Sequence, residues 1–148
     1  MSEFSLMAIA LGGAFGSVSR FLVAQEMGRR FGDFLPYGTF AVNVIGSLAL
    51  GWLATIFIDR SEINSALRLG IVVGFLGAFT TFSTFSLESV QLLLSGSITR
   101  SLLNIAANTV VCIGMRYLSM QLARFILICR ILPEYFKQIF WKKLMSIE

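Results

Sequence analysis

The stretch from Leu69 to Leu87 contains no ionisable residue, yet glycine, threonine, serine and phenylalanine are concentrated in its second half. An apolar run of roughly 20 residues is the length needed to cross a bilayer as a helix. Lipid offers no hydrogen-bond partner to the backbone, so only helices and closed barrels span it. A span that had only to dissolve in lipid would not collect hydroxyl groups and glycines, which indicates a role beyond anchoring.

The composition of the chain extends this interpretation to its whole length. Hydrophobic residues make up 56% and charged residues 14% of the 148 residues, whereas about 25% of a typical soluble domain is charged. Four apolar stretches are long enough to span a bilayer, at residues 4–25, 34–58, 69–94 and 101–123. The sequence predicts an all-α membrane protein with four transmembrane helices in one domain, residues 1–130.

Residues 131–148 form a C-terminal tail of different character. Its apolar residues Phe136, Ile139, Phe140 and Leu144 fall on one face at helical spacing. Such a pattern is typical of an amphipathic helix lying in the membrane interface. The tail is therefore predicted to contact the surface of the lipid bilayer.

Basic residues are distributed almost evenly between the two sides that four spans would define. One side would hold Arg29, Arg30 and Arg100, and the other Arg60, Arg68, Arg124 and the tail bases; without the tail after Arg130 the count is three against four. Orientation in the membrane follows the bias of Lys and Arg between the two sides, and here that bias is small. A chain of this kind can insert both ways round, which makes an antiparallel homodimer a reasonable hypothesis.

The first predicted helix carries small residues at a spacing that favours close packing. Gly12 and Gly16 lie four residues apart on one face, and small residues at this spacing let helix backbones approach closely in lipid. Arg20 follows one turn later. Two interpretations of Arg20 stay open: it extends to the aqueous interface, or it gives a vestibule a positive potential that attracts anions.

Amide side chains lie within two of the apolar helices. Asn43 shares a helix face with Gly46 and Ser47, and Asn104 lies one turn before Asn108 in the last span. A buried amide must find hydrogen-bond partners. These amides either line a polar pathway as N–H donors or join neighbouring helices through hydrogen bonds, and the sequence does not decide between the two.

Helix three is predicted to be broken near its middle, within residues 77–81. Glycine and β-branched threonine both lower helix propensity there. Unwound backbone at membrane depth is tolerated only in contact with protein or a water-filled cavity, and its carbonyls commonly coordinate a cation. The alternative is an unbroken helix in which the threonine hydroxyls donate to carbonyls of the preceding turn.

Phenylalanine and hydroxyl side chains follow this predicted break. Phe82 and Phe85 are three residues apart, with Ser83 and Thr84 between them. The edge of an aromatic ring is electropositive, so two ring edges and nearby hydroxyls can surround a small anion without a formal charge. Glu88 comes one turn later, where an acid beside an apolar span indicates a pore mouth or an ion-pair partner.

Three segments in order carry a family resemblance: Gly12-Gly13-Ala14-Phe15-Gly16-Ser17-Val18-Ser19-Arg20, Gly38-Thr39-Phe40-Ala41-Val42-Asn43-Val44-Ile45-Gly46-Ser47 and Gly77-Ala78-Phe79-Thr80-Thr81-Phe82-Ser83-Thr84-Phe85. With these segments the chain closely resembles the CrcB/Fluc fluoride channels from about Leu6 to Arg124. The resemblance implies a dual-topology homodimer in the cell inner (plasma) membrane, with two antiparallel pores that export cytoplasmic fluoride passively.

The resemblance also implies roles for individual residues. The fluoride pathway would include Asn43, Phe82, Ser83, Thr84 and Phe85. A structural sodium ion at the dimer interface would be held by the backbone carbonyls of Gly77 and Thr80. Arg20 and Glu88 match family positions near the vestibules and the pore exit. Asn104 and Asn108 depart from the family pattern, which has an aromatic and a small hydroxyl residue at these places.

Other classes of function fit the sequence less well. A proton-coupled multidrug exporter can also be a four-helix, dual-topology dimer, but it needs a carboxylate deep in the bundle, and Glu88 is the only candidate. A membrane scaffold would explain the packing glycines but not the hydroxyl groups or Asn43. The chain has no histidine, and no set of nucleophile, base and orienting group can be assembled from its residues. An enzyme is therefore not expected. A nucleic-acid partner is not expected either.

Overall fold

The computed structural model describes the backbone of residues 2–58 and 63–144 and the side chains of residues 2–57 and 63–129. Within those ranges the chain is helical and contains no strand. Four stretches are long and apolar enough to cross a membrane: Glu3–Phe31, Tyr37–Phe57, Ser65–Leu94 and Ile98–Cys129. The predicted all-α membrane fold with four spans is confirmed.

The helices are named in chain order. The first two spans are α1, Glu3–Phe31, and α2, Tyr37–Ile58. The third span, Ser65–Leu94, consists of α3, Ser65–Leu69, a π-helical segment, Gly70–Leu76, then α4, Gly77–Phe79, and α5, Phe82–Leu94. The last helix is α6, Ile98–Leu144.

Helix α6 is longer than the sequence analysis predicts. It has 47 residues and therefore a length of about 70 Å at 1.5 Å per residue, more than twice the roughly 30 Å of a bilayer core. Its backbone continues from the fourth span into the predicted tail as far as Leu144. The predicted apolar face of that tail lies outside the described side chains.

Two short turns make successive spans antiparallel. α1 is followed by Gly32, whose φ of 72° lies in the left-handed region, and α5 is followed by a turn that contains Gly96 with φ 78°. Glycine adopts this conformation without the strain that a Cβ atom would add. Arg100, at the start of α6, stacks 4.5 Å from the ring centroid of Phe34 in the first of these turns. Both turns therefore lie on the same side of the bundle.

Close packing of α1 against the third span depends on glycine. A Cβ atom at Gly12 would overlap the carbonyl of Gly70, and one at Gly16 would overlap the carbonyl of Phe75. At Gly74 a Cβ atom would come within 2.6 Å of the Ile9 carbonyl oxygen. The packing predicted for the first helix is present, because small residues at this spacing bring the two backbones into contact.

The two halves of the third span have different neighbours. The half that ends with α4 packs chiefly against α1, whereas α5 packs against α6, and α2 packs extensively against α6. Gly77 is exposed, and the nearest atom to an added Cβ would be the Val72 carbonyl oxygen at 3.9 Å. Gly77 therefore belongs to an open face and not to the packed one, in contrast to Gly70 and Gly74.

Replacing Gly16 with alanine is expected to destabilise the folded protein by about 1–3 kcal/mol, since the added methyl group must displace backbone atoms. Gly28→Ala is the matched control on the same helix, because nothing lies within 4 Å of a Cβ atom there. That change is expected to be neutral or slightly stabilising, as alanine is the better helix former. Thermal unfolding in detergent measures both variants, and equal midpoints would contradict the packing.

Candidate functional site

The third span is interrupted at Thr80 and Thr81, where the backbone is extended. Thr80 has φ −79° and ψ 157°, and Thr81 has φ −150° and ψ 116°. The Thr80 hydroxyl still donates 3.0 Å to the Leu76 carbonyl, as expected for an intact helix, while Thr81 Oγ1 accepts 3.2 Å from the backbone N–H of Thr84. Thr81 is thus the N-cap of α5, and the pair is called the interruption below.

Asn43 on α2 makes three hydrogen bonds, two of which hold the interruption in place. Its Oδ1 accepts from the Thr81 backbone N–H at 2.8 Å, and its Nδ2 donates to the Thr81 carbonyl at 3.1 Å. The same Nδ2 donates to Asn108 Oδ1, also at 3.1 Å. An amide nitrogen carries two N–H bonds, so both donors of Asn43 are engaged by protein acceptors. The side chain satisfies the backbone that the interruption exposes.

The hydrogen bonds continue from Asn43 through α6 to α5. Asn108 Nδ2 donates to Asn104 Oδ1 at 3.0 Å, and Asn104 Nδ2 donates to Ser89 Oγ at 2.9 Å. Ser89 in turn donates to the Phe85 carbonyl at 2.7 Å. Asn104 and Asn108 are only 3% and 5% exposed. The sequence left open whether the amides line a pathway or join helices, and these contacts join α2, α6 and α5. Asn108 also borders a cavity beside the interruption.

A cavity of about 340 Å³ opens beside the interruption, between α2, the third span and α6. It is called the main cavity. Five of its lining residues were singled out from the sequence as candidate site residues: Asn43, Thr80, Phe82, Phe85 and Asn108. Gly46 and Ser47, which the sequence places on the face of Asn43, line it as well. The structure therefore brings together residues from three different spans.

The two phenylalanines form a pair at this cavity. Their ring centroids are 5.4 Å apart with the planes inclined by 60°, so the edge of one ring approaches the other, as aromatic pairs prefer. Phe85 is 8% exposed, whereas Phe82 is 79% exposed. One ring is held in the bundle and the other projects from it, within reach of a molecule that covers the cavity.

Ser83 and Thr84 lie beside the main cavity and do not line it. Thr81 Oγ1 donates to Thr84 Oγ1 at 3.0 Å and lies 3.3 Å from Ser83 Oγ. Ser83 is exposed and Thr84 is half-buried. These hydroxyls therefore cluster at the N-terminus of α5.

Glu88 lies in a second cavity, of about 390 Å³, which is also lined by Asp33 and Gln91. Its Oε1 accepts from the Thr39 hydroxyl at 2.8 Å. Its Oε2 is buried and forms no hydrogen bond with the described residues. Arg20 lines neither this cavity nor the main one. The structure therefore separates both residues from the group around Asn43.

The backbone at the interruption is suited to a hard cation such as sodium. Within the described part of the chain, neither the Gly77 nor the Thr80 carbonyl accepts any of the side-chain or turn hydrogen bonds around the interruption. Gly77 is exposed and Thr80 is half-buried. Carbonyl oxygens of unwound helix are the ligands that hold sodium in membrane proteins, so the donor chemistry fits.

Sequence reasoning missed three contributors to the site. Thr81 is the centre of the hydrogen-bond network, Ser89 links α5 to Asn104, and Arg116 lines the main cavity. Ser89 and Arg116 had a detectable signal. Ser89 is a polar residue in an apolar helix, and Arg116 follows Asn108 after two steps of four residues, with Cys112 between them.

These features define a polytopic helical membrane protein whose bundle encloses hydrogen-bonded amides and an open cavity, as expected of a transport protein. The family described as "CrcB-like protein, Camphor Resistance (CrcB)" matches residues 7–120. The chain belongs to this family.

Several curated relatives are similar to the chain over most of its length. A protein of Magnetococcus marinus is 42% identical over 118 residues, which cover 80% of this chain and 96% of the relative. One of Syntrophotalea carbinolica is 46% identical over 119 residues, covering 80% and 97%. One of Methylococcus capsulatus is 42% identical over 122 residues. This match covers 82% of the present chain and 54%, about half, of the relative. All three are named fluoride-specific ion channel FluC.

Proposed function

We propose that the chain is a fluoride-selective ion channel that lets cytoplasmic fluoride leave the cell by passive conduction. The observation that carries the proposal is the interruption held by Asn43 beside a cavity with paired phenylalanine rings. The relatives named as fluoride channels support it independently. Passive conduction makes and breaks no covalent bond, so the proposed function is that of a channel and not of an enzyme.

Fluoride is small and strongly hydrated, so a dry path passes it only where protein groups replace its water at each step. An isolated buried anion costs many kcal/mol. Uncharged donors suit this task because they hold the ion weakly enough to release it. The Phe82 and Phe85 ring edges and the hydroxyls of Ser83 and Thr84 are such groups, and they surround the start of α5.

Asn43 takes two roles in this mechanism. Both of its N–H bonds have protein acceptors, Thr81 O and Asn108 Oδ1. It therefore positions the interruption, and it presents a donor to fluoride by exchanging the Asn108 acceptor for the ion. Close donors of this kind favour fluoride over larger and more weakly hydrated chloride.

Growth on fluoride tests the proposal in cells. A bacterium that lacks its own fluoride exporter is expected to regain growth at inhibitory fluoride concentrations when it expresses this chain. Resistance limited to cationic drugs would instead favour the proton-coupled exporter. Glu88, the carboxylate that the sequence offers to this rival, lines a different cavity from Asn43, so we expect no drug resistance.

The functional unit in this proposal is an antiparallel homodimer in the inner (plasma) membrane. Two observations support it: the even distribution of arginines between the two sides, and the 79% exposure of Phe82 at an open cavity. A second copy would cover this cavity and complete its walls. The mass of the protein in detergent and the side reached by a C-terminal reporter test this. A monomeric mass, or a reporter on one side only, would contradict it.

Sodium is proposed as a structural ion at the interface of the two copies, held by the Gly77 and Thr80 carbonyls. When bound, it would supply positive charge to these carbonyl oxygens beside the unwound backbone. Exchange of sodium for a large organic cation is expected to slow fluoride efflux and weaken the dimer. Unchanged efflux and mass after exhaustive exchange would argue against the ion.

Residues 1–130 are assigned to the channel domain and residues 131–148 to the tail, which we propose lies at the lipid surface. The family match ends at residue 120, before the tail begins. Removal of residues 131–148 is expected to leave fluoride efflux intact. Loss of efflux in a truncated protein that still forms the dimer would assign the tail to the channel.

A further inference from the structure

Arg116 brings a positive charge to the wall of the main cavity. It is exposed, and among the described side chains it takes part in no salt bridge. Its own backbone is fixed, because the Arg116 carbonyl accepts from Ser119 Oγ at 2.9 Å and lies close to Gly51 on α2. Arg116 lies within the fourth candidate span, and a charged side chain in a membrane helix is expensive and in general indicates a function.

The charge lies at the opposite end of the cavity from the amides. Along α6 the lining residues run from Asn108 through Cys112 to Arg116, which is about 12 Å at 1.5 Å per residue. Within the described part of the chain, no carboxylate lines this cavity. Its potential is therefore positive at the Arg116 end and set by uncharged dipoles at the Asn43 end.

We infer that the Arg116 end of the main cavity is an anion-collecting site for a small inorganic anion that keeps part of its hydration. The identity of that anion as fluoride rests on the proposed function. Low-dielectric walls focus the field of a fixed charge and raise the local concentration of ions of opposite sign. A volume of about 340 Å³ has room for the anion together with water.

The separation of charge from amides explains how such a site can assist conduction. A cation in contact with the dehydrated ion would hold it too strongly to release it. At about 12 Å from Asn108 along the helix, Arg116 attracts the anion while it is still hydrated. The ion then exchanges water for uncharged donors nearer the interruption.

Cys112 is a natural reporter of the potential in this cavity, because it lines the cavity one turn before Arg116 and is half-buried. The chain has two cysteines, so Cys129→Ser leaves Cys112 as the only thiol. In the test, purified protein reacts with methanethiosulfonate reagents of equal size, one anionic and one cationic. The thiolate attacks the reagent sulfur, a mixed disulfide forms, and methanesulfinate leaves.

The measured quantity is the ratio of the anionic to the cationic reaction rate. Arg116→Gln is expected to lower this ratio about ten-fold, because a unit charge at this range acts with opposite sign on the two reagents. Arg116→Lys should restore it. Arg124→Gln is the matched control, since Arg124 is exposed on the same helix and does not line the cavity.

An unchanged ratio in Arg116→Gln would overturn the inference. So would a thiol that reacts with neither reagent in the folded protein but reacts after denaturation, because the cavity would then be closed to anions. Fluoride efflux measured on the same samples separates the two proposals. If the ratio falls as expected while the unmodified chain releases no fluoride, the anion site stands and the fluoride function fails.

Discussion

Fluoride efflux is expected to fall to about a tenth or less when Asn43 is replaced by alanine, since each roughly 1.4 kcal/mol added to a barrier slows a rate ten-fold. The change leaves the Thr81 backbone N–H, the Thr81 carbonyl and Asn108 Oδ1 without their partner. Because buried polar groups without partners are costly, we also expect the free energy of unfolding to fall by roughly 2–4 kcal/mol.

Efflux from proteoliposomes and thermal unfolding in detergent measure these two effects. Asn64→Ala is the matched control, because Asn64 caps α3 with a single hydrogen bond to the Ala66 N–H at 2.8 Å and is exposed. It should cost about 1 kcal/mol and leave efflux unchanged. If Asn43→Ala retained full efflux and stability, Asn43 would not hold the interruption.

The second large effect is expected from the phenylalanine pair. Phe82→Ile and Phe85→Ile each remove an aromatic edge, an interaction of about 0.5–1.5 kcal/mol, and should slow fluoride efflux by up to about ten-fold. Isoleucine keeps the side chain apolar and bulky, so both variants should have the same mass in detergent as the unmodified chain. The measurement is efflux from liposomes at matched protein density, with the mass in detergent as a check on assembly.

Phe4→Ile is the control for this pair, because Phe4 is as exposed as Phe82, 78% against 79%, and does not line the main cavity. Its efflux should equal that of the unmodified chain. Full efflux in both Phe82→Ile and Phe85→Ile would exclude the ring edges from the pathway. A smaller mass in either variant than in the unmodified chain would instead assign that ring to assembly.

Local sequence signals were sufficient for the spans and for the packing of α1. Apolar runs predict four membrane helices because a helix must satisfy its backbone within lipid. Gly12 and Gly16 predict close approach because their spacing places them on one face. Thr80 and Thr81 are extended where helix propensity is weakest. Each of these features depends on residues that are near one another in the chain.

Long-range pairing could not be predicted in the same way. The sequence identifies Asn43, Asn104 and Asn108 as buried amides, but not that they bond to one another and to Thr81. The sequence shows Arg116 only as a charge in an apolar helix, and the packing of α6 against α2 brings it to the cavity. The helix register that creates these contacts is set by tertiary packing.

The central claim is that uncharged protein groups replace the water around fluoride, and the most direct measurement is efflux of fluoride and chloride from the same preparation. Liposomes containing purified protein are loaded with both ions, and release is followed with two ion-selective electrodes. We predict rapid fluoride release without a proton gradient, with chloride retained. Vesicles that hold fluoride, or release chloride equally fast, would contradict the account.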